Sequence, residues 1–129
     1  GEHGTTFGGG PVTCAVANKV LDIIFTPSFL AEVQGKGEYL AAKLAALAEK
    51  HSAAGKVKGL GLLRGLEIGT PDDAGMKLCG EVIAKAKENG LLLLRSGKNI
   101  LRIAPPLVIS EKEIDKGIEI IDNILGAIK

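Results

Sequence analysis

The sequence has few aromatic side chains and almost no net charge. Only 3% of its 129 residues are aromatic, tryptophan is absent, and the formal charge at pH 7 is +1. Proteins that bind nucleic acids usually present a basic surface, and many stack bases on aromatic side chains. Both features are missing, so we expect no nucleic-acid partner.

Long apolar runs and cysteines are also scarce. No run approaches the ~20 apolar residues of a membrane helix, and the sequence shows no basic segment followed by the apolar core of a secretory signal. The two cysteines, Cys14 and Cys79, fall in separate predicted helices, which is typical of a reducing compartment. We therefore expect a cytoplasmic protein with no membrane partner, in which both cysteines are small buried hydrophobic residues.

Apolar residues at helical spacing predict four helices. They cover about 11–25, 29–53 and 70–89, and the last runs from Ser110 towards the C-terminus. Gly35 and Gly37 are expected to bend or break the second helix. We expect Thr70 to cap the third helix, and Ser110 and Glu113 to form a capping box for the fourth. His51, near the end of the second helix, is expected to be a solvated histidine without chemistry.

Two other stretches predict strands. Residues 56–68 form one strand, or two strands around glycines, with Leu60, Leu62, Leu66 and Ile68 on one face and Val57 and Leu63 on the other. Residues 91–94 and 100–104 flank a turn and predict a hairpin, which the two prolines at 105 and 106 end. The fold class is therefore α+β, with a small, mainly antiparallel sheet of about three or four strands and helices on one face.

The N-terminal segment is a loop rich in glycine that leads into a helix. Five of its first eleven residues are glycine, two are threonine, and Pro11 suits the first turn of the helix. Such a loop before a helix N-terminus favours a phosphate, although a simple linker has the same composition. Its spacing matches neither the P-loop nor the dinucleotide motif.

Three motifs resemble those of the class III pyridoxal-phosphate aminotransferases. Residues 3–11, H-G-T-T-F-G-G-G-P, resemble the segment H-G-S/T-T-F/Y-G-G-N-P, with Gly10 in place of the usual asparagine. Residues 102–109, R-I-A-P-P-L-V-I, resemble a second signature, and residues 57–67 are similar to a glycine-rich strand of the family. Their order along the chain makes the resemblance more specific than any one motif.

The resemblance implies that the chain is the C-terminal part of such an enzyme. Residues 1–25 would be the cofactor loop and connecting helix at the end of the large domain, and residues 26–129 the C-terminal small domain. The lysine that holds pyridoxal 5'-phosphate as a Schiff base, and the acid that pairs with its ring nitrogen, would lie upstream in a missing large domain. We therefore expect no catalytic residue in this fragment and no activity from it alone, whereas the full-length enzyme would be a homodimer.

The resemblance also implies three binding residues. Thr6 matches the threonine that holds the cofactor phosphate across the dimer interface, and Thr5 matches the adjacent position; turn hydrogen bonding is the alternative for both. Arg102 matches the arginine that binds the substrate α-carboxylate, and its planar fork suits a carboxylate. Its alternative is a structural ion pair. We expect no metal site, since the spacing of His3, Cys14 and His51 does not indicate one.

The function implied for the whole enzyme is transfer of the δ-amino group of N-acetylornithine to 2-oxoglutarate, in arginine biosynthesis. Ornithine, succinylornithine and 4-aminobutyrate are alternative amino donors. A free-standing, non-catalytic binding domain with the same fold is the alternative of another class.

Overall fold

The computed structural model describes residues 3–128. Within that range the chain forms four helices and four strands. In chain order they are α1 (Pro11–Ile24), α2 (Pro27–Lys50), β1 (Ala54–Leu60), β2 (Leu63–Ile68), α3 (Asp73–Glu88), β3 (Leu94–Ser96), β4 (Ile100–Ile103) and α4 (Glu111–Gly126). The four predicted helices are all present, and residues 54–68 form two strands rather than one.

The chain divides into two units, one ending at Glu32 and the other beginning at Val33. The first unit contains the glycine-rich loop and α1, and α1 buries none of its residues. Cys14 is exposed and Cys79 is buried. The expectation of a buried cysteine is therefore wrong for Cys14 and confirmed for Cys79.

No single helix among residues 3–128 is long and apolar enough to cross a membrane. α1 and α2 taken together across the break between them do reach that length and composition. α2 buries Leu40, Leu44 and Leu47 in the core of the second unit.

The sheet lies in the second unit and has the strand order β1-β2-β4-β3, with every neighbouring pair antiparallel. Leu66 of β2 faces Leu101 of β4, and both are fully buried. Buried residues of α2, α3 and α4 belong to the same core, including Leu44, Val82 and Ile121. The predicted α+β class is confirmed.

The second face of the sheet carries a different set of side chains. Arg102 of β4 pairs with Gly65 of β2 on one side and with Leu94 of β3 on the other. These pairs lie one residue along the strands from the Leu66–Leu101 pair. Because successive strand residues point to opposite faces, these residues lie on the face away from that core. Arg102 and Leu94 are exposed, so the helices of this unit cover only one face.

A tight hairpin between β1 and β2 changes the predicted faces. Leu60 pairs with Leu63, so only Gly61 and Leu62 form the turn, and Gly61 has φ +54°, where glycine is favoured. Leu60 is 87% exposed, whereas Val57 pairs with Leu66 and packs against the core. The expected placement of Leu60 beside Leu66, and of Val57 opposite, is therefore wrong.

Gly37 lets α2 pass close to this hairpin. A Cβ at position 37 would lie 2.7 Å from the carbonyl carbon of Gly61, so any side chain would force the two apart. α2 is continuous from Pro27 to Lys50. The expected break at Gly35 and Gly37 is therefore absent, and the glycine at 37 serves close packing instead.

Hydrogen bonds from local side chains cap the N-termini of α3 and α4. Ser110 and Glu113 form the predicted capping box at the start of α4, where the Ser110 hydroxyl accepts from the Glu113 N–H. At α3 the cap is Asp72, which accepts from the Gly75 N–H at 3.0 Å, while the Thr70 hydroxyl donates to Asp72. The capping role expected of Thr70 is thus wrong by two residues, because an aspartate was available nearer the helix.

The end of α2 is tied to α4 through Asp122. Lys50 Nζ lies 2.6 Å from one carboxylate oxygen of Asp122, and His51 Nε2 lies 2.5 Å from the other. These hydrogen bonds, that from Lys50 foremost, lower the pKa of the Asp122 carboxyl below its ordinary value of 3.8. The His51 side chain is only 11% exposed, so the expectation of a solvated histidine is wrong.

Arg64 of β2 fastens the hairpin to α2. One guanidinium nitrogen donates to the Gly59 carbonyl at 2.7 Å and another donates to the Gly37 carbonyl at 3.1 Å. Its Nε is buried and has no hydrogen-bond partner among the described residues. Arg64 therefore joins two glycine carbonyls that lie more than twenty residues apart in the sequence.

We predict that Asp122→Asn lowers the stability of the protein at neutral pH. The pKa of Asp122 is lowered in the folded state, so its contribution is present above the ordinary pKa and disappears as the pH falls through the folded value. The loss should be roughly 1 kcal/mol, that of one hydrogen bond, and should disappear once the pH has fallen below the lowered pKa of the folded state. Urea unfolding at several pH values measures it, with Asp22→Asn as a control at a carboxylate that makes no hydrogen bond or ion pair among residues 3–128. A pH-independent difference between Asp122→Asn and the parent would contradict this account.

We predict that Arg64→Lys lowers stability by roughly 1–3 kcal/mol, because one ammonium cannot reach both carbonyls and one buried acceptor loses its donor. Arg102→Lys is the matched control, since Arg102 lies on an adjacent strand and faces the exposed side of the sheet. Chemical unfolding of both variants measures the difference. Equal stabilities would show that the two bonds of Arg64 add nothing.

Candidate functional site

The loop of residues 4–10 presents its polar groups to the surface. Thr5 and Thr6 are exposed, and neither hydroxyl makes a hydrogen bond within the part of the chain that the structure describes. Gly9 has φ +76°, which permits the sharp change of direction before α1. A Cβ at Gly8 would lie 2.1 Å from Cγ2 of Thr5, so glycine there allows the loop to fold closely on itself.

The hydrogen bonds that close this loop come from Thr13 and Gly10. Thr13 Oγ1 lies 2.9 Å from the Phe7 carbonyl and 2.8 Å from the Gly10 carbonyl. The Gly10 N–H donates to the same Phe7 carbonyl at 3.3 Å. Thr13 was not among the site residues predicted from the sequence. The sequence does contain a signal for it: the cap residue Gly10 has no side chain, and a side-chain hydroxyl follows three residues later.

These residues have the chemistry of an anion site. Residues 6–13 line an open hollow at the N-terminus of α1, where free N–H groups and the helix dipole favour negative charge. The first turn of α1 contains no acidic residue, and its cap Gly10 makes no side-chain hydrogen bond. A phosphate would therefore meet a hydroxyl donor and no carboxylate from the first turn of α1, so the described part of the loop fits the phosphate of the cofactor that the sequence resemblance implied.

Arg102 belongs to the second unit and is exposed on β4. Its neighbour across the strand pair is Gly65, which has no side chain to cover it. Glu67 shares that face, but it forms an ion pair with Lys58 and accepts from the Lys56 N–H. These bonds, that from Lys58 foremost, lower the pKa of the Glu67 carboxyl. Within residues 3–128, Arg102 makes no hydrogen bond or ion pair, so the structural ion pair considered for it is not formed there.

An apolar cavity in the second unit is a poor candidate for a substrate site. Its volume is about 120 Å³, and its lining includes Leu40, Leu93, Ile114 and Ile118. Ligand pockets usually measure ~300–1,000 Å³ and contain a few polar groups. The acidic residue in its lining, Glu113, already serves the cap of α4, so the cavity offers little to orient a polar molecule.

The other residues considered for chemistry are not assembled into a site. Among residues 3–128 no three His, Cys, Asp or Glu side chains are grouped so that they could hold a metal ion. Thr5 and Thr6 share one loop of the first unit, whereas Arg102 lies in the second unit. The loop with Thr5 and Thr6 and the strand with Arg102 are therefore two separate candidates.

The chain matches proteins of one family along nearly all of its length. The aminotransferase class-III family model matches residues 1–125. An acetylornithine/succinyldiaminopimelate aminotransferase of Photorhabdus laumondii is 41% identical over 98% of this chain and 30% of its own length. An acetylornithine aminotransferase of Caldanaerobacter subterraneus is 37% identical over 100% of this chain and 31% of its own length.

A solved structure agrees with the sequence relatives. The acetylornithine aminotransferase of Elizabethkingia anophelis superposes with a TM-score of 0.84 at 36% identity, over 99% of this chain and 33% of that protein. The chain thus spans about 30% of the length of the curated relatives it matches. From the match over residues 1–125 and these relatives, the chain belongs to the class-III aminotransferase family.

Proposed function

We propose that this chain is part of a pyridoxal-phosphate-dependent aminotransferase that transfers the δ-amino group of N-acetylornithine to 2-oxoglutarate. The observation that carries the proposal is the family match over residues 1–125, together with relatives named as acetylornithine aminotransferases. The whole enzyme would be a cytoplasmic homodimer. Because the chain covers about 30% of those relatives, the remaining residues of its site are expected elsewhere in the protein.

The residues present in this chain determine which roles we propose for it and which for the rest of the protein. Residues 1–25 would complete the large domain, and residues 26–129 would form the C-terminal small domain. The lysine that bonds the cofactor and the acid that pairs with its ring nitrogen would belong to the rest of the protein. Pyridoxal phosphate, when bound, supplies the electron sink for amino transfer; the residues of this chain would bind and orient.

Thr6 is proposed to donate its hydroxyl to the cofactor phosphate, serving the active site of the partner subunit, and Thr5 would add a second donor beside it. Both hydroxyls are exposed and unbonded within residues 3–128. The adjoining N-terminus of α1 contributes a favourable field for an anion. Hydrogen bonds to a charged phosphate are stronger than those between neutral groups, so these two hydroxyls would help to position this end of the cofactor, which residues absent from this chain would mainly bind.

Arg102 is proposed to hold the α-carboxylate of the amino-acid and oxo-acid substrates. Its guanidinium is exposed and has no partner among the described residues, while the nearby carboxylate of Glu67 is bonded to Lys58. A planar fork can give two parallel hydrogen bonds to one carboxylate. N-acetylornithine and 2-oxoglutarate both carry such a carboxylate, so either substrate could make this contact.

The amino donor is the least constrained part of the proposal. The Photorhabdus laumondii relative is named for both acetylornithine and succinyldiaminopimelate, so the names of the relatives do not define one amino donor. Arg102 would contact only a carboxylate, which all these donors have. Ornithine, succinylornithine and 4-aminobutyrate therefore remain the alternatives to compare in an assay of the full-length protein.

We predict that Thr6→Ala in the full-length protein weakens retention of pyridoxal phosphate. One hydrogen bond to a charged group contributes roughly 1.5–3 kcal/mol, or about a tenfold to hundredfold change in affinity. Equilibrium dialysis followed by the absorbance of the bound cofactor measures it. Thr26→Ala is the control, because that hydroxyl is also exposed but donates to Ile23 outside the loop. Unchanged retention in a folded Thr6→Ala protein would reject the assignment.

We predict that Arg102→Lys in the full-length protein weakens both half-reactions. Lysine keeps the charge but loses the two-point fork, so saturation by N-acetylornithine and by 2-oxoglutarate should each need higher concentrations. Single-turnover kinetics with each substrate separately measure this, and Arg95→Lys on the adjacent strand is the control. Normal saturation by both substrates would remove Arg102 from the site, and failure of the parent protein to use either substrate would overturn the proposed reaction.

A further inference from the structure

The glycine-rich loop has no side chain at the cap of α1, and the Thr13 hydroxyl contributes a hydrogen bond that closes the loop. Position 10 is glycine where the resembling motif has asparagine. The cap of α1 consequently makes no side-chain hydrogen bond. Thr13, one turn into the helix, instead reaches back to the carbonyls of Phe7 and Gly10.

The carbonyl of Phe7 is the point on which the loop closes. It is approached by the Thr13 hydroxyl at 2.9 Å and by the Gly10 N–H at 3.3 Å. Phe7 is the residue after Thr6, and its carbonyl belongs to the peptide that joins Phe7 to Gly8. A bond to this carbonyl therefore limits how the chain can turn between Phe7 and α1, and with it where Thr6 can lie, in a segment whose glycines at 8, 9 and 10 otherwise leave the chain free.

We propose that Thr13 is a positioning residue that holds the loop in the conformation in which Thr6 meets the cofactor phosphate, in place of the asparagine usual at position 10. This inference rests on the proposed function of Thr6. Thr13 acts through the loop and does not itself contact the cofactor. A loop that is already ordered loses less conformational freedom on binding, so the Thr13 hydroxyl should increase affinity for the phosphate.

A side chain at position 10 would lie close to the groups that Thr13 contacts. A Cβ added at Gly10 would lie 3.3 Å from the Phe7 carbonyl and 3.6 Å from Thr13 Oγ1. An asparagine there would thus place its amide near the groups that Thr13 now connects. It should be crowded beside threonine but should replace the hydroxyl once Thr13 is shortened to alanine.

The test uses the full-length protein that contains this segment. Thr13→Val removes the hydroxyl and keeps the shape, Thr13→Ser keeps the hydroxyl, and Thr13→Ala is made with and without Gly10→Asn. Affinity is measured for pyridoxal phosphate and for pyridoxal, which lacks the phosphate. Hydrogen exchange of the Gly10 amide in the cofactor-free protein reports on loop order without any ligand.

We expect Thr13→Val to lower affinity for pyridoxal phosphate about three- to tenfold, the range for one neutral hydrogen bond. Affinity for pyridoxal should not change, and the Gly10 amide should exchange faster. Thr13→Ser should keep most of the affinity, and Gly10→Asn should restore it to Thr13→Ala. Equal losses for both ligands would indicate a general structural role and overturn the proposal, as would equal behaviour of the valine and serine variants.

The variant Thr6→Ala tests the proposed phosphate contact of Thr6 separately from the proposed role of Thr13. If it weakens retention of pyridoxal phosphate while Thr13→Val does not, the inference about Thr13 fails and the role of Thr6 stands. If Thr6→Ala has no effect, the phosphate role of the loop fails, and the proposal for Thr13 fails with it.

Discussion

The alternation of side chains along β2 and β4 decides what the second unit buries and what it exposes. Leu66 and Leu101 meet on the covered face and are fully buried. Arg102, the next residue, must then face the other way. A slip of one residue would bury a guanidinium without a partner, which is far more costly than exposing a leucine. The burial of Leu101 in the hydrophobic core therefore determines the face of the sheet on which Arg102 lies.

The parts of the fold that depend on local chemistry were predictable from the sequence. The capping box of α4 needs only Ser110 and Glu113, three residues apart, and it is present. The hairpin between β1 and β2 was harder, because glycines at 59, 61 and 65 are compatible with a bulge, a kinked strand or a turn. A two-residue turn at Gly61 reverses the chain, and that reversal moved Val57 to the core and Leu60 to the surface.

Contacts between distant residues could not be predicted in this way. The Arg64 guanidinium donates to Gly37, 27 residues away, and His51 contacts Asp122, 71 residues away. Neither pair has a spacing that a helix or strand would impose. Both join α2 to another element, so they depend on how that helix packs, which one sequence without related sequences does not reveal. The same reason explains why Gly37 looked like a helix breaker but proved to be a contact point.

The two candidate binding elements use different chemistry for different anions. The loop before α1 offers neutral donors, the Thr5 and Thr6 hydroxyls and a helix N-terminus, while Arg102 offers a full positive charge. In the proposed enzyme the first would hold a phosphate that stays bound through many turnovers, and the second a carboxylate that must leave after each one. Directional bonds from an ordered loop suit a resident group, since the loop is positioned once. A single exposed guanidinium suits an exchanging group, because it can capture a carboxylate quickly and release it into water. The residues of this chain would therefore hold the cofactor in position and bind and release the substrates. The cofactor, and the lysine outside this chain, would supply the bond-making chemistry.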